Sequence, residues 1–146
     1  MEHFISDVIV NNGATQSPDD QRDWVAESIY LSNYQLPEIL DHRKKLQAVR
    51  NQGKQGSCAA QTAACMKEWQ ENKDIGFNKY MSPQFVYNNR INQSSEGMYG
   101  RDVMKILSNI GCCSEDIYPY RLIEKPDKIS KNIFEEAKKF KIKSYA

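Results

Sequence analysis

The run Asn51-Gln52-Gly53-Lys54-Gln55-Gly56-Ser57-Cys58-Ala59-Ala60 constrains this chain more than any other. Its asparagine and two glycines ask for a tight turn, and the alanines that follow ask for a helix. Cys58 therefore falls at a helix N-terminus. The partial positive charge there favours a thiolate, so this is where a nucleophilic cysteine is best placed. Gln52 lies upstream on the same turn and can swing back to offer its side-chain amide to a developing oxyanion.

Local signals place four helices around that turn. The central one is predicted over 57–72, with Ser57 as its N-cap. Ala59, Ala60, Ala63, Ala64 and Cys65 give it a small-residue surface that neighbours can approach, and Met66 and Trp69 fill its later turns. Cys65 is expected to be a small buried hydrophobe. A second helix starts with Ser82 as cap and Pro83 at its first position, with Phe85, Val86 and Tyr87 turned inward. A third covers 101–109, where Val103, Met104, Leu107 and Ile110 repeat at helical spacing and Gly111 stops it. Tyr118-Pro119-Tyr120 reads as an extended turn. A fourth helix is predicted over 130–139, carrying Ile133, Phe134, Ala137 and Phe140, and residues 141–146 alternate like a short strand.

Four blocks in order resemble the papain/cathepsin family of cysteine peptidases. Val49-Arg50-Asn51-Gln52-Gly53 and Gly56-Ser57-Cys58 look like its active-site signature, preceded by Pro37-Glu38 and Arg43. Met81-Ser82-Pro83-Gln84 looks like the start of its second helix. Glu96-Gly97-Met98-Tyr99-Gly100-Arg101-Asp102 looks like its glycine-containing loop, and Gly111 with Tyr118-Pro119-Tyr120 like the loop that follows. Gly97-x-x-x-Arg101-Asp102 and Gly111-x-Cys113-x-Glu115 are closer to the bacterial and large-virus branches. The resemblance implies a mainly α fold, the helical left half of a two-domain α+β enzyme whose β-rich right half lies beyond residue 146. It implies an N-terminal leader over 1–35, the helical domain over 36–140 and the start of the second domain over 141–146. It makes Cys58 the nucleophile and Gln52 the oxyanion-hole glutamine, with the Cys58 backbone N–H as the second donor. Gly97, Met98 and Tyr99 fall where the family lines its S2 subsite and pairs with substrate backbone. The substrate would be a peptide or protein, and no metal or organic cofactor is implied. Two positions depart from the pattern. Ala59 replaces the usual tryptophan, and Gln55 replaces a cysteine whose disulfide therefore cannot form.

The family's histidine and asparagine lie roughly 130–150 residues after the cysteine. About 90 residues follow Cys58 here, none of them histidine. The two histidines, His3 and His42, precede it and read as surface or turn residues. The expectation is a chain that is inactive alone and completed by a C-terminal half, in cis or in trans. Without that half, apolar surface should stay open on the Ala59–Ala63 side of the central helix and at Ile142 and Tyr145. A non-catalytic module that binds a peptide or an inhibitor, or a relic helical domain, are the alternatives. The leader is short for an inhibitory propeptide that lies in the cleft; the alternatives are a strap across the body of the enzyme or an N-terminal arm packed on the surface.

Composition excludes several other classes. Lys and Arg number 20 against 19 Asp and Glu, so the net charge of +1 leaves no nucleic-acid or membrane-surface footprint. The lysine-rich stretch over 125–143 is interleaved with acids and reads as a solvated helix face. No apolar run approaches the roughly 20 residues of a membrane span. Cys58 and Cys65 lie about 10 Å apart along one helix, too far to bridge, and vicinal Cys112-Cys113 would need a strained ring. Cys112 and Cys113 also lack a second ligand pair for a metal. With no disulfide framework and no secretory N-terminus, the expected compartment is the cytoplasm.

Overall fold

A computed structural model describes residues 13–23 and 37–145. His3 and most of the expected leader, residues 1–12 and 24–35, lie outside these residues. The architecture is mostly helical, with one minimal sheet. Helix α1 spans Cys58–Ile75, α2 Pro83–Asn88, α3 Gly100–Asn109 and α4 Lys131–Lys138. Strand β1, Ala14–Thr15, pairs in parallel with β2, Met98–Tyr99. Single 3-10 turns cover Arg43–Lys45 and Pro126–Lys128.

Helix α1 is the spine. It ends at Gly76, whose left-handed backbone lets its N–H reach Asn72 O at 3.0 Å while Phe77 N–H reaches Glu71 O. Its buried positions are Ala60, Ala63, Ala64, Lys67 and Glu68, a single stripe at helical spacing. The alanines let α2 and α3 come close, and Met81, Val86, Tyr87, Met98, Val103, Ile106 and Leu107 close the core over them. The predicted open Ala59–Ala63 side is therefore covered: Ala63 is buried and Ala59 packs against the same core. The side left open lies further along, where Met66 and Ile75 are 55% and 68% exposed. Met66 thus does not fill the core, and Cys65 is only half-buried.

The core stripe ends in two charges because both have partners. Glu68 accepts from Arg50 at 2.7 Å and from the Met81 N–H at 2.9 Å. Arg50 also pairs with Glu115, donates to Met81 O and stacks on Tyr80. This network ties the segment before the nucleophile turn to α1 and to the loop after α3. Lys67 is held by Glu71 one turn on.

Helix α2 begins as predicted, with Ser82 Oγ accepting from Phe85 N–H at 3.0 Å and Pro83 at the first position. Its far side builds a second cluster, in which Phe85 meets Tyr118 and Phe134 edge-on. Gly111 ends α3, and a side chain there would stand 2.0 Å from Ala137 O, so only glycine lets α4 pack this closely. Residues 141–145 do not form the predicted strand. Their one ladder-like bond runs from Ile142 N–H to Leu107 O, at the end of a helix that has no strand edge to offer.

Candidate active site

The turn over 51–57 is closed by its own side chains. Asn51 Oδ1 accepts from Gly53 N–H at 2.8 Å, and Ser57 N–H donates to Gln55 O at 2.7 Å. Gln52 Nε2 donates to Gln55 O at 2.9 Å. One amide proton of Gln52 thus fixes its orientation, and the second remains for another acceptor. Cys58 is the first residue of α1, half-buried and unoxidised. Gln52 and Cys58 therefore share one turn, as their spacing suggested.

Ser57 departs from its expected role. It occupies the N-cap position but makes no side-chain bond to the helix. Its Oγ lies 2.6 Å from Tyr120 OH, and Tyr120 OH donates to Gln52 O at 2.9 Å. Tyr120, singled out in the sequence only as part of a turn, is a contact of the nucleophile turn that sequence reasoning missed. A contact across 63 residues leaves no periodic or local signal.

The residues 13–23 cross the front of this turn. Met98 N–H donates to Gly13 O at 2.9 Å, and β1 continues along β2. A side chain on Gly13 would stand 2.2 Å from Gly56 O and 2.7 Å from Cys58 N. Only a glycine brings the backbone this close to the nucleophile. Beyond β1, Ser17 Oγ accepts from Arg101 N–H, and Arg101 pairs with Asp23 at 2.6 Å. Arg22 holds the Asp20 carboxyl well below the usual carboxylate range.

The three predicted substrate contacts separate here. Gly97 is buried against the leader, with Thr15 Oγ1 3.0 Å from where its side chain would begin. Tyr99 is half-buried at the end of β2. The Met98 side chain is fully buried in the core, while its backbone N–H donates to Gly13 O. Alternation along β2 sends it inward.

His42 packs on Trp69 at 5.0 Å between ring centroids. That places it about 16 Å along α1 from Cys58. It lies in a groove of about 1010 Å³ that also includes Cys65, Met66, Ile75 and Ile142. The Trp69 indole N–H is buried there with no acceptor among the described residues. Of the other thiols, Cys65 is half-buried and Cys112 and Cys113 are fully buried. Burial pushes the Cys65 thiol up and pushes Cys112 up to about 12. Among the described residues no helix is long and apolar enough to cross a membrane, and no three His, Cys, Asp or Glu side chains gather as a metal site would need.

A cysteine thus opens the long helix α1, with a glutamine amide on the same turn and a mostly helical body behind it. Residues 36–146 match the papain family of cysteine proteases, and the chain belongs to that family. Among solved structures it resembles xylellain, a cysteine protease from Xylella fastidiosa, at 25% identity and a TM-score of 0.59 over 67% of this chain and 44% of that one. A structure from work on the mite allergens Blo t 1 and Der p 1 matches at 27% identity and TM-score 0.55, over 66% of this chain and 35% of that one. The digestive procathepsin L2 proteinase of Tenebrio molitor larval midgut shares the fold at 24% identity and TM-score 0.61, over 84% and 42%. The chain spans less than half the length of these structures. A search of curated protein sequences gives no match.

Proposed function

We propose that this chain provides the nucleophile half of a papain-like cysteine peptidase. The observation that carries the reading is the shared turn: Cys58 opens α1 while Gln52 Nε2 is fixed on the same turn by Gln55 O. In the reaction, the Cys58 thiolate attacks a peptide carbonyl. One Gln52 amide proton and the Cys58 backbone N–H receive the oxyanion, each such donor being worth about 3–4 kcal/mol of transition-state stabilisation. A histidine must take the thiol proton and return it to the leaving amine, after which water hydrolyses the thioester. His42 packs against Trp69, too far along α1 from Cys58 for this role, so the base comes from a polypeptide segment other than the described residues. A part of such a segment remote from the base packs in the groove beside Trp69, where Met66 and Ile75 are exposed and the Trp69 N–H has no acceptor among the described residues. The substrate backbone runs along β2, which the leader occupies here, so the leader and a peptide compete for one edge.

A second reading, a peptide- or inhibitor-binding module, is favoured by one observation: among the described residues no histidine stands beside Cys58. Incubating the full chain with a broad peptide library tests both. The expected result is no cleavage by this chain alone, and cleavage abolished by Cys58→Ala once a histidine-bearing partner half is added. Cleavage by this chain alone that Cys58→Ala abolishes would place the base within it. Peptide capture that a partner half never converts to cleavage would favour the binding module.

A further inference from the structure

We infer that Tyr120 is a positioning residue for the Cys58 nucleophile, holding the Ser57 hydroxyl away from the helix end and so leaving the first N–H groups of α1 to the thiolate. The inference rests on the reading of Cys58 as the nucleophile.

A serine at an N-cap ordinarily turns its Oγ onto the N–H two or three residues on. Ser57 has the right residue type at the right position and does not do so. It is fully buried, and its Oγ is 2.6 Å from Tyr120 OH. A phenol has one proton. Tyr120 gives that proton to Gln52 O, so it accepts from Ser57. One hydroxyl thus bridges the backbone of the oxyanion glutamine and the side chain just before the nucleophile. The first intrahelical bond of α1 is Gln61 N–H to Ser57 O at 2.9 Å. The N–H groups of Cys58, Ala59 and Ala60 therefore have no acceptor within the helix. A capping Ser57 would take one of the latter two and weaken the field that favours a thiolate.

Tyr120 can hold this position because its loop is fixed on both sides by buried polar side chains of the α2 segment. Ser82 Oγ donates to Tyr118 O at 2.6 Å. Gln84 Oε1 accepts from Arg121 N–H at 2.9 Å, and Asn88 Nδ2 donates to Leu122 O at 2.7 Å. Ser82, Gln84 and Asn88 are all buried, an unusual density of polar groups for one short helix. Between these anchors Arg121 adopts a left-handed backbone, with φ of 72°, which a side-chain-bearing residue rarely takes. Such strain persists only where surrounding bonds over-determine the chain. Here they determine where the Tyr120 hydroxyl stands.

The test is the rate–pH profile of Cys58 alkylation by iodoacetamide, located by mass mapping, in the full chain and in Tyr120→Phe, Ser57→Ala and the double variant. The leader is present in all four, so its shielding cancels. Tyr120→Phe is expected to react about fivefold more slowly at neutral pH, the size of one lost helix-end interaction, with its profile displaced to higher pH. Ser57→Ala should react at least as fast as the native chain, and the double variant should recover the native profile because no hydroxyl is left to cap. A Tyr120→Phe profile that overlies the native one, even with a lowered melting temperature, would overturn the inference. So would slowing that persists in the double variant. If Tyr120→Phe loses its cooperative melt, Ser57→Ala decides alone, and a slower Ser57→Ala would refute the idea. Native Cys58 labelling no faster than Cys65 would instead refute the nucleophile assignment, and this inference with it.

Discussion

The first turns of α1 and its last turns are covered in opposite ways. At the front, small alanines are buried under α2, β2 and α3, and the turn ahead of them is held by Tyr120 and crossed by the leader. At the back, the buried positions are Lys67 and Glu68, while the apolar Met66 and Ile75 face outward. The front is covered by this chain's own residues. The back has its charges matched but its apolar groups uncovered, which is the pattern of a surface meant to be buried by something else. One helix thus carries the proposed nucleophile at one end and exposed apolar side chains at the other.

The thiols give the widest test of this contrast. Cys58 is at the front, Cys65 on the open groove, and Cys112 and Cys113 are fully buried in the core. Burial raises Cys112 to about 12, so at pH 7 only about one molecule in 10⁵ carries that thiolate. Competitive alkylation of the native chain should label Cys58 first, Cys65 more slowly, and Cys112 only after unfolding. The same shift has a stability consequence. The folded state keeps the Cys112 proton while the unfolded chain releases it, so this contribution is intact below about pH 9 and is lost as pH rises towards 12. Stability should fall steadily across that window, read from alkaline denaturation midpoints. Labelling of Cys112 at the Cys58 rate would erase the distinction between front and core.

The buried charges at the back come next in size. Arg50→Ala removes the partner of Glu68, whose carboxyl burial already pushes up. A buried carboxylate left unpaired costs about 3–5 kcal/mol, measurable by denaturant unfolding. A loss below about 1 kcal/mol would mean that water reaches Glu68 and that the back of α1 is not closed beneath its surface.

These buried charges also mark where the sequence stopped being legible. The starts of α1 and α2, the stop at Gly111 and the spacing of Gln52 and Cys58 could all be read, because each is decided by a few adjacent residues. Lys67 and Glu68 could not, since their burial depends on Arg50, Met81 and Glu71 rather than on hydrophobic period. Met98 was placed by resemblance alone, and a two-residue strand is too short for its sequence to show that the Met98 side chain points inward. The pairing of residues 13–15 with β2 and the Tyr120 clamp join segments far apart in sequence, and no local preference encodes them.

The leader offers a smaller but cleaner test at the front. Gly13→Ala puts a methyl group into a space 2.2 Å from Gly56 O. Overpacking of this kind costs about 1–3 kcal/mol, enough to shift the leader's occupancy of the cleft about tenfold. Cys58 alkylation should accelerate by about that factor while the melting temperature of the helical body stays nearly constant. No acceleration would mean that the leader does not limit access to the thiol.

The smallest effect is expected at the open groove. Met66 is 55% exposed beside Trp69 and Ile142, so in this chain alone its side chain contributes little to folding. Met66→Lys should change stability by no more than about 0.5 kcal/mol, as surface substitutions usually do. It should nevertheless reduce binding of a hydrophobic dye, because the apolar lining of the groove is interrupted. The pairing of those two readouts is what matters. If Met66→Lys destabilised the chain by several kcal/mol, the groove would be part of this domain's own core, and α1 would be closed at both ends. If stability and dye binding were both unchanged, the exposed apolar groups would be scattered surface residues rather than a patch. Near-neutral stability with lost dye binding leaves one account, in which the back of α1 is kept apolar for a partner that the folding of this domain does not require.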